Sequence, residues 1–159
     1  MSHKLDEKDI QILRLLQKNS KITIREISKL VKAAPTTVFA KIKRMEKNGI
    51  VKEYRAILDS TKLGKGTTAF VLASITYRME GQKLSQREIA KKIAKFPEVQ
   101  EVHIISGDWD LLIKVKAESA EAIGNFVIDK LRLVDGIEKT LTCVVFTTEK
   151  ETTEISLER

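Results

Sequence analysis

The chain has 159 residues, with 29 Lys+Arg against 22 Asp+Glu and a formal net charge of +7. Its 42% apolar and 32% charged residues mark a globular protein rather than a disordered tail, and two Pro and seven Gly exclude collagenous or Pro-rich character. No apolar run approaches the roughly 18 residues of a membrane span, the start Met-Ser-His-Lys-Leu-Asp-Glu lacks the apolar core of a signal peptide, and the lone Cys143 permits no internal disulfide, so a cytoplasmic protein is expected.

Leu5 to Asn19 has the periodicity of an amphipathic helix, with Ile10, Ile12, Leu13 and Leu16 as its apolar stripe. Asp6, Glu7 and Asp9 load the first turn, where the helix dipole favours acids. Thr23-Ile24-Arg25-Glu26 fits a capping box, with Ile22 and Ile27 placed as a hydrophobic staple, and predicts a second helix burying Ile27, Leu30 and Val31. Pro35 stands as the first residue of a third helix, whose inward face is Val38, Ile42 and Met45. The opposite face carries Thr37, Ala40, Lys41 and Arg44, with Pro35 and Thr36 at its entrance and Lys43 and Lys47 beside it. Phe39 is large for its place and is expected to pack inward rather than meet thymine methyls. Gly49 ends the helix, and Ile50 to Ile57 is expected to resume as a short strand.

Two short helices joined by a tight connection, the second presenting hydroxyl and basic side chains, predict a helix-turn-helix. The charge follows it. Residues 1–60 hold 14 Lys+Arg and 7 Asp+Glu, the whole +7, while residues 61–159 hold 15 of each. Such segregation points to a basic module that displaces counterions from DNA phosphates, joined to a neutral one. The DNA-contacting candidates are Arg25, Pro35, Thr36, Thr37, Ala40, Lys41, Lys43, Arg44 and Lys47. A solvated Lys-rich surface on a small helical domain is the plainer alternative, and abundant Lys and Glu also fit a heat-adapted protein.

Residues 60–67 form a glycine-punctuated linker between a domain at 1–59 and a second at 68–150, with 151–159 as a C-terminal tail. In the second domain Ala69 to Met79 is a β-rich run. Ser85 to Glu88 looks like another capping box, opening a helix with Ile89, Ile93 and Phe96. Val99 to Ser106 and Trp109 to Ala117 flank the turn Gly107-Asp108 as antiparallel strands. Ser119 caps a helix through Leu131, and Ile137 to Thr148 closes the set. The order βαββαβ predicts a ferredoxin-like fold, so the chain is α+β, an N-terminal (winged) helix-turn-helix followed by that sheet domain. Helices cover one sheet face; the other, carrying Phe, Val and Leu, is expected to self-associate.

The chain lacks GxGxxG, Walker, HExxH and nucleophile-elbow motifs. His3 sits at the terminus, His103 stands alone in a strand, and Cys143, alternating with Leu141 and Val145, is expected to be a buried inert thiol. Asp108 and Asp110 make a weak metal or acid–base pair. No catalytic residue, metal or cofactor is therefore expected.

In its order of motifs the chain resembles the Lrp/AsnC, or feast/famine, family of prokaryotic transcriptional regulators over essentially its whole length. The resemblance rests on Leu5-Asp6-Glu7-Lys8-Asp9-Ile10-Gln11-Ile12-Leu13, on Pro35 to Val38 and Arg44 to Ile50, and on Gly107-Asp108-Trp109-Asp110, which is similar to that family's Gly-x-aromatic-Asp signature. It implies dimers formed through the sheets and assembling to tetramers or octamers, binding to pseudopalindromic double-stranded DNA, and a small amino-acid effector held between dimers. The implied effector residues are Gly107, Asp108, Trp109 and Asp110, then Thr140 and Thr142, with Tyr77 a weaker candidate. Two departures stand out: Ala34 replaces the usual Ser cap, and Lys41 stands where Arg is common. Sirohaem decarboxylases resemble the same family, but only His103 is available for a tetrapyrrole site. A metabolite-sensing module without a DNA role is the remaining alternative.

Overall fold

The computed structural model describes residues 5–76, 78–79 and 82–158. They divide into two units, one of Met1–Ile57 with Lys150–Arg159, the other Leu58–Glu149.

The first unit holds α1 (Glu7–Lys18), α2 (Ile24–Val31) and α3 (Pro35–Lys47). Each start has a local cause. Asp6 caps α1 in a reciprocal box with Asp9: the Asp9 N–H donates to the Asp6 carboxylate at 2.8 Å, and the Asp6 N–H to that of Asp9 at 2.9 Å. Thr23 and Glu26 make the expected box on α2. Pro35 opens α3 behind Ala34, which supplies no side-chain cap. Ile12, Leu13, Ile27, Val31, Val38, Ile42 and Met45 form the core. Leu30, expected inside, is 61% exposed, and Ser28 is buried in its stead; its hydroxyl donates to the Ala33 carbonyl at 2.5 Å and fixes the turn into α3. Beyond Gly49 the expected short strand is missing. Residues 52–59 are neither helix nor strand, because a strand exists only by pairing and no described strand lies alongside.

The C-terminal segment belongs to this unit. Gln17 of α1 grips the backbone of Ile155 from both sides, its amide N–H donating to the carbonyl at 3.1 Å and its oxygen accepting the N–H at 2.8 Å. Arg14 donates to the Leu157 carbonyl at 3.1 Å, and the Leu157 side chain packs on the helical core.

In the second unit β1 (Thr67–Ile75), β4 (Val99–Ile104), β5 (Leu111–Ala117) and β6 (Ile137–Val144) form an antiparallel sheet in the order β4-β5-β1-β6. A two-residue-per-strand hairpin, β2 (Arg78–Met79) and β3 (Gln82–Lys83), precedes α4 (Gln86–Ile93), and α5 (Ala120–Asp129) runs into a 3₁₀ turn at Leu131–Leu133. Alternation does what a half-covered sheet requires: Ala69, Val71, Ala73 and Ile75 of β1 and Leu111, Ile113 and Val115 of β5 point into a core closed by Ile89, Ile93, Ile123, Phe126 and Val127. Phe96 meets Phe126 edge-on, centroids 5.6 Å apart. Ser119 caps α5 as expected, but Ser85 makes no side-chain cap: the Glu88 N–H donates to the Ser85 carbonyl at 3.0 Å, and the Glu88 carboxylate pairs with Lys91 at 2.8 Å. Gly136 has φ +94°, and a Cβ there would lie 2.6 Å from Ile89 Cδ1, so glycine is required twice over.

The other sheet face carries Phe70, Leu72, Leu112, Leu141 and Cys143. Cys143, expected to be buried, is exposed, because it pairs with Phe70, whose side chain projects away from the helices.

Candidate nucleic-acid interface and effector site

On α3 the side chains of Pro35, Thr36, Thr37, Ala40, Lys43, Arg44 and Lys47 are exposed, as is Arg25 on α2. Thr36 and Thr37 stand at the second and third helical positions, so their N–H groups fall in the first turn, uncapped by any side chain at Ala34 and suited to a phosphate oxygen. Lys32 holds the α2 terminus in a left-handed conformation (φ 49°), its carbonyl accepting from Lys8 at 3.1 Å.

Lys41, expected on the outward face, lies inward: it is three residues after Val38 and four before Met45, so it flanks the buried stripe. Its side chain is only 14% exposed, and the ammonium binds the carboxylates of Asp6 and, at 3.1 Å, Asp9. Asp9 is the cause. It is fully buried on α1, and a buried carboxylate is tolerable only when paired. Arg44 supplies a second cation at 2.5 Å while remaining half exposed. Burial alone would lower the Lys41 pKa, but its hydrogen bonds to Asp6 and Asp9 raise it. The same Lys41 bond, together with the Asp9 N–H, pulls Asp6 down to about 2.

Phe39 is also placed otherwise than expected. It is 50% exposed and lies outside the helical core, with the Lys43 ammonium 5.8 Å from its ring centroid. Lys43 in turn bonds Glu46 at 2.8 Å, and Glu46 accepts from the Tyr54 hydroxyl at 3.0 Å. Burial first, and then that carboxylate, pushes Tyr54 up to about 12.

In the second unit the residues of the Gly-x-aromatic-Asp signature have separate duties. Gly107 takes φ +113° in the turn between β4 and β5, Asp108 is exposed and Trp109 half-buried. Asp110 is a bracket. Its carboxylate accepts the Ile75 N–H at 2.8 Å and the Gln86 amide at 3.3 Å, while its backbone donates to Ala73 and accepts from Ile105. The Ile75 N–H lies just beyond Ala73↔Leu111, the last pair between β1 and β5, so a side-chain oxygen occupies the place where that ladder ends. Thr140 and Thr142 lie opposite Ala73 and Val71 on β6. Strand β1 therefore stands between them and the Gly107–Asp110 turn. Tyr77 lies outside the described residues.

Asp9, Gln86 and Gln17 were missed as functional supports by sequence reasoning. Asp9 had a signal, the spacing Asp6-x-x-Asp9 of a capping box; the other two had none. Among the described residues no group of three or more His, Cys, Asp or Glu is placed to hold a metal ion, and no helix is long and apolar enough to cross a membrane.

Comparison with known proteins aligns with this geometry. Residues 5–52 match the winged helix-turn-helix DNA-binding model, and residues 68–155 the Lrp/AsnC ligand-binding domain. The chain is 44% identical to an uncharacterised HTH-type transcriptional regulator of Pyrococcus furiosus, over 95% of this chain and 99% of that one. It is 36% identical to the HTH-type transcriptional regulator FL11 of Pyrococcus horikoshii, over 96% and 97%. Among solved structures, a Neisseria meningitidis transcriptional regulator in complex with L-Met matches with a TM-score of 0.89 and 31% identity, covering 97% of each chain.

Proposed function

This chain belongs to the Lrp/AsnC family of DNA-binding transcriptional regulators, and from that premise we propose that a small amino acid, bound by the second unit, alters its DNA affinity or its assembly. The carrying observation is that the helix-turn-helix match falls within the first unit, which holds the basic helix pair, while the ligand-binding match covers the second from residue 68 on. Arg25, Pro35, Thr36, Thr37, Ala40, Lys43, Arg44 and Lys47 would meet a pseudopalindromic duplex, with Lys41 positioning α3 from behind.

Gly107, Asp108, Trp109, Thr140 and Thr142 would surround the effector, with Asp110 shaping the turn. The separation of these two groups by β1 supports an effector held between copies rather than within one. The apolar face of Phe70, Leu72, Leu112 and Leu141 supports a homodimer, assembling further to a tetramer or octamer. The protein acts in the cytoplasm, without a cofactor and not as an enzyme. The sirohaem decarboxylase reading has no support in the side chains, since His103 is exposed and bonded to Glu101 at 3.0 Å.

By linkage, DNA must change effector affinity by the factor with which the effector changes DNA affinity. The test is a thermal-shift and light-scattering panel of the amino acids, beginning with L-methionine, then duplex titration at two salt concentrations with any hit. A stabilising amino acid that alters assembly or duplex affinity is expected. No response to any amino acid refutes the sensor, and duplex binding indifferent to salt refutes the DNA interface.

A further inference from the structure

We propose that Phe39 reads the 5-methyl group of a thymine in the major groove, an inference that rests on the DNA-binding reading above. The ring stands one turn into α3, half exposed, on the flank of the buried stripe of Val38, Ile42 and Met45. It makes no part of the head's core. Its neighbours at helical spacing are Pro35 and Thr36 one turn before it and Ile42 and Lys43 one turn after. Pro35 and Thr36 beside the ring and Ala40 on the exposed face are short, so they leave the ring open to a surface laid along α3.

Lys43 restrains the ring. Its ammonium lies 5.8 Å from the centroid and is itself held by Glu46, so the aromatic side chain meets an incoming partner already oriented. An exposed phenyl ring among cations selects its partner by exclusion. Residues 21–47 carry eight Lys+Arg and two acids, and an apolar protein surface laid on Phe39 would desolvate Lys43 and Arg44 without compensating them. A duplex neutralises those cations with phosphates. Within the major groove the base edges are polar donors and acceptors, apart from one apolar group, the C5-methyl of thymine. Phe39 therefore contributes specificity rather than charge.

The experiment selects duplexes from a randomised library with the full chain, then replaces each thymine of the recovered site by uracil, which removes only the methyl. Binding is measured for the native chain, F39A and F39L. The native chain should lose about fourfold at one thymine per half-site, the worth of one buried methyl-sized group. F39A should bind thymine and uracil equally there with its salt slope unchanged, and F39L should keep part of the discrimination. Uracil tolerated at every position, or F39A discriminating as the native chain does, overturns the proposal. Failure to enrich any duplex overturns the DNA-binding reading beneath it, and is distinct from enrichment without methyl discrimination.

Discussion

Replacing Asp9 by Ala deletes the acceptor shared by three donors: the Asp6 N–H, the Lys41 ammonium and the Arg44 guanidinium. Removing one partner of a buried ion pair costs about 3–5 kcal/mol, because the remaining charge stays desolvated. Two features place this case at the lower end. Lys41 keeps Asp6, and Arg44, half exposed, can return to water. A loss of about 3 kcal/mol is large for a unit of this size, for which 0.05–0.15 kcal/mol per residue gives a total of roughly 3–10 kcal/mol. The melting temperature of the helical unit should fall by roughly 12–24 °C. Asp9→Asn preserves shape and one acceptor oxygen but not the charge, so it should fall between the native chain and Asp9→Ala. Circular dichroism at 222 nm during thermal and urea unfolding measures both. If each variant lies within about 0.5 kcal/mol of the native chain, as an ordinary surface substitution would, the buried carboxylate does not hold α1 against α3.

Lys41→Ala should reduce stability but leave the salt slope of duplex binding nearly unchanged, whereas Lys43→Ala or Lys47→Ala should each reduce it by about 0.9 per half-site; titration across a salt series decides, and equal effects refute the inward role of Lys41. Gly136→Ala places a side chain at φ +94° and against Ile89, and should cost at least about 1–2 kcal/mol by denaturant midpoint. Leu157→Ala, at a half-buried site, should destabilise the helical unit by about 1–2 kcal/mol, read from its unfolding curve. Acid should weaken the same unit: the carboxyl of Asp6 is held near 2 against an ordinary 3.8, so its contribution is intact above about 4 and disappears as pH falls through 2. Urea midpoints between pH 5 and 2 should decline, and the decline attributable to Asp6 should be absent in Asp6→Asn.

Local rules were legible in the sequence. The Thr23–Glu26 box, Pro35 opening α3, the Ser119 cap and the alternation of β5 each depend on residues a few positions apart, and each lies where spacing puts it. The misplacements share a different cause. Lys41, expected on the outward face of α3, flanks the buried stripe at three residues from Val38 and four from Met45, and Asp9, 32 positions earlier, fixes it there. The Glu88 of the apparent capping box had a competing partner in Lys91, and composition does not rank the two. Cys143 was assigned to a face correctly, but which face the helices cover is settled by β1, its neighbour in space. At the effector turn the residue types were legible, while the binding of Asp110 to the Ile75 N–H depends on where the pairing of β1 with β5 ends, which no pattern within β1 announces.

The return of Leu157 and Ile155 to α1 also sets an order of assembly during synthesis. The helices at residues 7–47 emerge from the ribosome first, but Ile155 and Leu157 can join α1 only after residues 150–159 have followed. The whole intervening sheet domain is made in that interval. A nascent chain thus makes the sheet domain before the helical unit gains its last contacts, and a fragment cut at the linker would lack the segment that covers part of α1.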